Sequence, residues 1–319
     1  MLHIIVVMPL QEHHKEMLES CAGDAELYYC TREEVTEELM AQAEVVIGNL
    51  PPDLIRRGRN LRLVQLNSAG TDGYTAPGVL PEGAVLCNAT GAYGLAIAEH
   101  MLGLVLELKK KLYLYRDQQK MQVWKDCGTV SAVYGSTTLV IGLGDIGGEF
   151  GRRMRALGSH VIGVVRTARP APDYVDELCT MEDLPDLVGR ADIITSSLPG
   201  GPSTYQIYDE KFFAGMKPSA IFINVGRGNA VKTDALLHAL QEGKLAGAAL
   251  DVTDPEPLPA GHPLWNVPNV LITPHIAGGF HLQETWDNIV CIAARNLSAL
   301  VNGTPMVSVV DLKTGYRKH

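Results

Sequence analysis

Along the first 90 residues, short apolar runs rich in β-branched side chains alternate with longer amphipathic ones, the pattern of a parallel sheet joined by crossover helices. Residues 3–8, 26–29, 44–47, 61–65 and 85–87 are the predicted strands. From residue 94 to 112 the period turns helical, yet Leu95, Ile97, Met101, Leu102, Leu104, Val105, Leu106 and Leu108 leave it apolar nearly all round. Such a helix must be buried on most faces, so it is expected to cross between domains or to lie in a subunit interface. Lys109, Lys110 and Lys111 close it, where a helix C-terminus favours cations. Residues 116–133 are polar with weak periodicity and read as an arm or connector. The alternation then restarts, with six predicted strands at 139–142, 161–165, 193–197, 220–225, 247–251 and 270–273. A last helical pattern at 283–301 ends at Asn302-Gly303, and the apolar tail 306–312 is expected to dock.

These elements predict an α/β chain with two doubly wound parallel-sheet domains. The smaller comprises residues 1–99 and 284–319 and is discontinuous, because the C-terminal helix returns to it. The larger comprises residues 100–283, and its six strands make two mononucleotide-binding halves. At 319 residues the chain has room for two cores, and 46% hydrophobic with 20% charged residues is an ordinary globular balance. A net charge of -9 argues against a nucleic-acid partner, whose affinity rests on a basic surface. It also requires a local positive site for any anionic ligand. The six cysteines are scattered, without a C-x-x-C pair or metal spacing, so they read as reduced cytoplasmic thiols and no metal is expected. The first apolar run lacks a basic leader and is too short for a signal peptide, and no stretch approaches a membrane span.

The chain is organised around Thr137-Thr-Leu-Val-Ile-Gly-Leu-Gly-Asp-Ile-Gly147, a buried strand that turns directly into a helix. Gly142 allows the tight turn, Gly144 lets a phosphate approach bare backbone, and Gly147 permits close helix packing, with the amides around Asp145 and Ile146 facing the anion. In an open parallel sheet, ligands bind beyond the carboxyl ends of the strands. The residues just past the six predicted strands are, in order, the glycine turn, Arg166-Thr167, Leu198-Pro199, Val225-Gly226-Arg227, Asp251 with Glu256, and His275. One rim thus carries a cationic anchor, a carboxylate and an imidazole, the equipment for reducing a carbonyl beside a carboxylate. Glu256 lies among Pro255, Pro257, Pro259 and Pro263, which restrict its loop. In the first domain, Asn67-Ser68-Ala69-Gly70-Thr71-Asp72 and Asn88-Ala89-Thr90-Gly91 could each present backbone amides as a nest for a carboxylate.

Gly-Leu-Gly-Asp-Ile-Gly, Ile-Asn-Val-Gly-Arg-Gly, Leu-Asp-Val-Thr-Asp-Pro-Glu-Pro and Thr-Pro-His-Ile-Ala-Gly, in that order, resemble the D-isomer-specific 2-hydroxyacid dehydrogenase family. Gln65-Leu-Asn-Ser-Ala-Gly-Thr-Asp and Ile97-Ala-Glu-His extend the resemblance over nearly the whole chain. It implies a Rossmann dinucleotide-binding domain with a flavodoxin-like substrate domain, and a small 2-keto or 2-hydroxy acid as substrate, as in glyoxylate/hydroxypyruvate reductases. It further implies that Arg227, Glu256 and His275 are the catalytic set. Asp251 would help hold the nicotinamide amide, and the Ser68–Gly70 backbone, Ala69 included, would receive the substrate carboxylate. A homodimer built through the dinucleotide-binding domains is implied as well.

NAD-preferring domains usually carry an acid at the end of the second strand to bond the ribose hydroxyls. Here that position is Val165, with Arg166, Thr167 and then Arg169 after it, which points to NADP over NAD. Two other readings stay open. One is a dinucleotide-sensing binding protein, as among corepressors that resemble this family, although Arg227, Glu256 and His275 favour the enzyme. The other is a dehydrogenase for a phosphorylated hydroxy acid, for which the first-domain loops offer no dense basic cluster.

Overall fold

The computed structural model describes residues 2–315 and 317, which form two compact units. One contains the chain up to Tyr93 and again from Gly279, and the other is Gly94–Gly278. The first unit is built on five parallel strands, β1 (His3–Val6), β2 (Glu26–Tyr29), β3 (Val45–Ile47), β4 (Leu63–Gln65) and β5 (Val85–Cys87), in the order β2-β1-β3-β4-β5. That is the flavodoxin-like order. Its helices are α1 (Glu12–Ala22), α2 (Glu37–Gln42), α3 (Pro52–Ile55) and, after the excursion into the other unit, α10 (Gln283–Asn302). Ile5, Val46, Val64 and Leu86, one from each of four strands, pack with Met40 and Leu50 in one core. The tail docks as expected: the Val310 amide donates to Leu86 O at 2.8 Å, and Val310 is buried.

The second unit carries α4 (Gly94–Lys110), α5 (Leu112–Lys120), α6 (Asp145–Ala156), α7 (Leu184–Leu187), α8 (Glu210–Ala214) and α9 (Thr233–Gln241). Its sheet has seven parallel strands where six were expected: β6 (Thr137–Ile141), β7 (His160–Val165), β8 (Glu177–Thr180), β9 (Ile193–Ser196), β10 (Ile221–Asn224), β11 (Gly247–Leu250) and β12 (Val270–Ile272). The order is β12-β11-β10-β9-β6-β7-β8, the doubly wound dinucleotide arrangement with one strand added at an edge. The strand missing from the expectation is β8, a four-residue edge strand, half-buried along its length and opening on Glu177. It has neither a continuous apolar run nor a clean alternation.

The expected domain junctions at 99/100 and 283/284 fall inside or at the start of helices, whereas the units divide just before α4 and just before α10. The reason is packing. Ile97, Ala98, Met101, Leu104, Val105 and Leu108 bury one face of α4, which lies against α6, β10 and β11 of its own unit. Leu95, Leu102 and Leu106 remain half-buried on the helix's other side. The segment read as an arm begins with α5 and continues as irregular backbone in which Met121, Val123, Trp124, Val130 and Tyr134 are exposed.

Candidate active site

β6 meets β9 at the point where the strand order reverses, and the glycine turn sits at that switch. Gly142 has φ of 94°, a conformation that L side chains avoid. A Cβ on Gly147 would stand 2.1 Å from Gly142 O, so α6 reaches the strand only because that position has no side chain. Gly144 is different. It is the N-cap of α6, and a Cβ there would meet nothing within 4 Å, so the space beside the start of the helix is open. Helix dipole and exposed amides together favour a phosphate at that place. Ser197, beside Leu198-Pro199, donates its hydroxyl to Gly142 O at 2.8 Å and ties the end of β9 to the turn. At the end of β7, Arg166 and Thr167 are exposed. Arg169 donates to Leu143 O at 2.6 Å, so a guanidinium lies directly on the turn.

On the other half of the sheet the expected catalytic residues come after β10, β11 and β12. Buried Asn224 ends β10 and shapes the next turn: its amide donates to Arg227 O at 2.9 Å and its carbonyl oxygen accepts the Gly226 amide at 3.1 Å. Arg227 Nη1 donates to Gly226 O at 2.8 Å. The next residue, Gly228, approaches Thr253 so closely that a Cβ would fall 1.8 Å from Thr253 O. Thr253 in turn donates its amide to Glu256 Oε2 at 3.4 Å. Glu256 Oε1 lies 2.6 Å from His275 Nδ1, with both side chains partly exposed. The structure thus joins Glu256 to His275 directly and carries the Arg227 loop to Glu256 through Gly228 and Thr253.

Asp251 holds this corner together. It is buried, and its carboxylate receives the Thr273 hydroxyl (2.6 Å) and Ile276 amide (3.0 Å) on Oδ1 and the Ala277 amide (3.1 Å) on Oδ2. Its backbone oxygen accepts the His275 amide at 2.8 Å. His275 needs that grip because its φ is 54°, in the left-handed region. For a non-glycine residue such a conformation costs on the order of 1–3 kcal/mol and persists where the surroundings over-determine it. Thr273 and Arg169 were not singled out from the sequence for these contacts. Thr273 lies at a strand end two residues before the histidine, and that placement is the signal that could have found it.

In the first unit, the 67–70 loop turns its carbonyls inward. Tyr93 donates its hydroxyl to Asn67 O, and burial pushes that phenol's pKa well up, keeping it a donor. Ala89 donates to Ser68 O at 2.9 Å, Asn88 to Ala69 O at 2.7 Å and Ser68 Oγ to Gly70 O at 2.7 Å. The Ser68, Ala69 and Gly70 amides donate to no carbonyl among the described residues. Asn49 braces the loop through Ser68 Oγ and the Asn67 amide. Asn67 Oδ1 is buried with no partner in the same loop. Trp286 donates its indole N–H to Pro9 O at 2.9 Å.

Among the described residues one cluster, His13, His14 and Asp287, has a metal-ligand composition. His14 is fully buried, and its Nδ1 accepts the Gln11 amide at 3.2 Å, so the neutral ring carries its proton on Nε2 and donates to Asp287 Oδ1 at 2.8 Å. Gln283 donates to the same oxygen at 2.7 Å. Hydrogen bonds within the unit occupy this cluster, and His14 has no lone pair left for a cation.

A family model described as D-isomer specific 2-hydroxyacid dehydrogenase, NAD binding domain, matches residues 102–277. The human glyoxylate reductase/hydroxypyruvate reductase is 34% identical over 266 residues, which cover 80% of this chain and 78% of that protein. The crystal structure of a D-isomer specific 2-hydroxyacid dehydrogenase family protein from Aeromonas salmonicida has a TM-score of 0.86 and 30% identity, covering 98% of this chain and 99% of that one. An NADPH-dependent glyoxylate/hydroxypyruvate reductase from Sinorhizobium meliloti, in complex with NADP and sulfate, has a TM-score of 0.84 and 25% identity, with 99% and 100% covered.

The three glycines separate packing from ligand space. Gly147→Ala is expected to destabilise the unit by about 1–3 kcal/mol through overpacking, read as a lower urea midpoint. Gly144→Val should leave that midpoint in place and weaken dinucleotide binding about ten- to a hundredfold, the equivalent of one lost charge-assisted hydrogen bond. Unchanged dinucleotide affinity in Gly144→Val would contradict the assignment of the open space to a phosphate.

Proposed function

Because the chain belongs to the D-isomer specific 2-hydroxyacid dehydrogenase family, we propose that it reduces a small 2-keto acid to the D-2-hydroxy acid, as a glyoxylate/hydroxypyruvate reductase does. It is an NAD(P)-dependent oxidoreductase. The observation that carries the reading is the His275–Glu256 pair at 2.6 Å beyond the carboxyl ends of β11 and β12. A bound reduced dinucleotide supplies a hydride to the carbonyl carbon. The residues that would hold it are Gly142, Gly144, Asp145, Ile146 and Gly147 at the pyrophosphate, with Arg166 and Thr167 at the adenosine ribose. Leu198, Pro199 and Val225 would contact it along the strand ends, and Asp251 keeps acceptor capacity on Oδ2 for the nicotinamide amide.

His275 is the general acid. With Nδ1–H directed to Glu256, its Nε2 holds the proton that passes to the carbonyl oxygen. Glu256 fixes the ring's orientation and compensates its charge when it is loaded. Arg227 presents a fork of donors that suits a 2-keto carboxylate and polarises the neighbouring carbonyl. In the first unit, the amides of Ser68, Ala69 and Gly70, which donate to no carbonyl among the described residues, are the candidate anchor for the same carboxylate class. The 67–72 and 88–91 loops contain no lysine or arginine, so a substrate phosphate finds no side-chain cation there, and a non-phosphorylated acid is favoured.

The cofactor we favour is NADPH. β7 ends on Val165 rather than an acid, exposed Arg166 and Thr167 come next, and the Arg169 guanidinium lies on the glycine turn. A 2′-phosphate meets positive charge here. The assembly we favour is a homodimer that covers the exposed apolar side chains of 121–134 on a second copy, since Trp124 is fully exposed and Tyr134 is 81% exposed. Six unpaired thiols fit the reducing cytoplasm, and among the described residues no helix is long and apolar enough to cross a membrane.

Three measurements test these statements. Glyoxylate, hydroxypyruvate or pyruvate should consume reduced nicotinamide, and His275→Ala should lower kcat about 10²–10⁴-fold with cofactor affinity kept. Near wild-type turnover in that variant would remove His275 from the chemistry, and failure of every acid in the wild type would shift the reading to a dinucleotide-sensing binding protein. NADPH should exceed NADH in kcat/KM by about tenfold or more, the worth of one added charge-assisted hydrogen bond; the opposite order would refute the cofactor choice. Sedimentation at micromolar concentration should give the mass of two chains, and Trp124→Glu the mass of one; a monomeric wild type rules out the dimer.

A further inference from the structure

We propose that His100 is a positioning residue for His275, acting through Thr273 and Asp251. The proposal rests on the reading of His275 as the general acid. Ile97-Ala98-Glu99-His100 lies in the first turns of α4, and His100 belongs neither to the catalytic set nor to the cofactor and substrate contacts. His100 Nε2 lies 3.2 Å from Thr273 Oγ1 and 3.9 Å from Asp251 Oδ1.

The directions of these bonds come from donor counts. Thr273 has one hydroxyl proton, and at 2.6 Å it goes to the Asp251 carboxylate, which only accepts. Thr273 Oγ1 therefore faces His100 with a lone pair, and His100 Nε2 must carry the proton that fills it. The result is a directed chain, His100 Nε2–H to Thr273 Oγ1–H to Asp251 Oδ1. Asp251 then takes the Ile276 and Ala277 amides on its two oxygens and the His275 amide on its backbone carbonyl. His100 thus sets which way the Thr273 hydroxyl points, and the hydroxyl fixes the carboxylate rotamer. The carboxylate in turn holds the 276 and 277 amides, and so the backbone that follows His275 with its left-handed φ of 54°.

His100 is not buried out of reach of an alternative. Its side chain is 22% exposed against 2% for Asp251, so water could serve its N–H if Thr273 did not. The bond to Thr273 is thus a choice made by geometry rather than the only satisfaction available to the ring. Without the donor, Thr273 keeps its bond to Asp251 but gains freedom to rotate, and the error is passed to the 275–277 backbone.

The test compares His100→Leu, which removes the donor, with His100→Gln, whose amide nitrogen stands where Nε2 stands. His100→Leu should lower kcat about ten- to a hundredfold, the scale of a small misplacement of a reacting group, while dinucleotide affinity stays within about twofold. Amides of the 274–278 segment should exchange with solvent faster in that variant, measured by mass spectrometry. His100→Gln should restore both the turnover and the protection. The proposal is overturned if His100→Leu keeps its turnover and its protection, or if His100→Gln is as impaired as His100→Leu. Should the wild type turn over no 2-keto acid, the functional reading fails on its own, and the exchange comparison still decides whether His100 positions the loop.

Discussion

Parallel pairing is the constraint on which the chemistry of the second unit depends. When every strand runs the same way, every carboxyl end opens on one edge, and neighbouring strands lie about 4.8 Å apart. The register sets Asn224, Leu250 and Ile272 in one row across β10, β11 and β12. Arg227, Asp251 and His275 come three, one and three residues beyond that row. No long-range search brings them together, because sheet hydrogen bonds hold their starting points a few ångströms apart. The same edge carries the glycine turn where β6 meets β9, so the turn and the positions of Arg227, Asp251 and His275 belong to one sheet.

The sheet does not by itself set the direction of the His275 side chain. After β12 the backbone turns sharply, and the left-handed conformation at His275 is strained for a residue with a Cβ. Asp251 offsets that strain by accepting from three consecutive backbone amides, at 275, 276 and 277. Asp251 thus serves as a structural clamp, buried beside the strand ends. Glu256 has a different duty. It is partly exposed, meets the imidazole and the Thr253 amide, and orients the ring once the backbone has been set.

Much of this was legible in the chain because it depends on local pattern. Strand starts and ends at β2 and β5 match the apolar runs, since these strands are short and bounded by polar turns. The glycine turn could be read because Gly142 and Gly147 each have their own steric reason, and the Arg227, Glu256 and His275 positions because each comes after a strand. The features that escaped depend on a partner far along the chain. β8 is a strand only because β7 offers it an edge. The full assignment of α4 to the second unit comes from packing against α6, β10 and β11, which the apolar count of one helix cannot specify. Thr273 and His100 are 173 positions apart, and no spacing rule connects them.

Net charge makes the first unit's loop informative. A chain at -9 repels anions at long range, so a carboxylate must be held by short-range donors. The 67–70 loop, proposed above as the anchor, has no charged side chain. Asn88, Ala89, Tyr93 and Ser68 itself occupy its carbonyl oxygens, while the amides of Ser68, Ala69 and Gly70 donate to no carbonyl among the described residues. Backbone amides favour an anion through partial charges fixed in direction, and they discriminate by shape because they cannot move with a displaced ligand as a lysine can. With no lysine or arginine in residues 67–72, an anion held there would be selected by geometry rather than by long-range attraction.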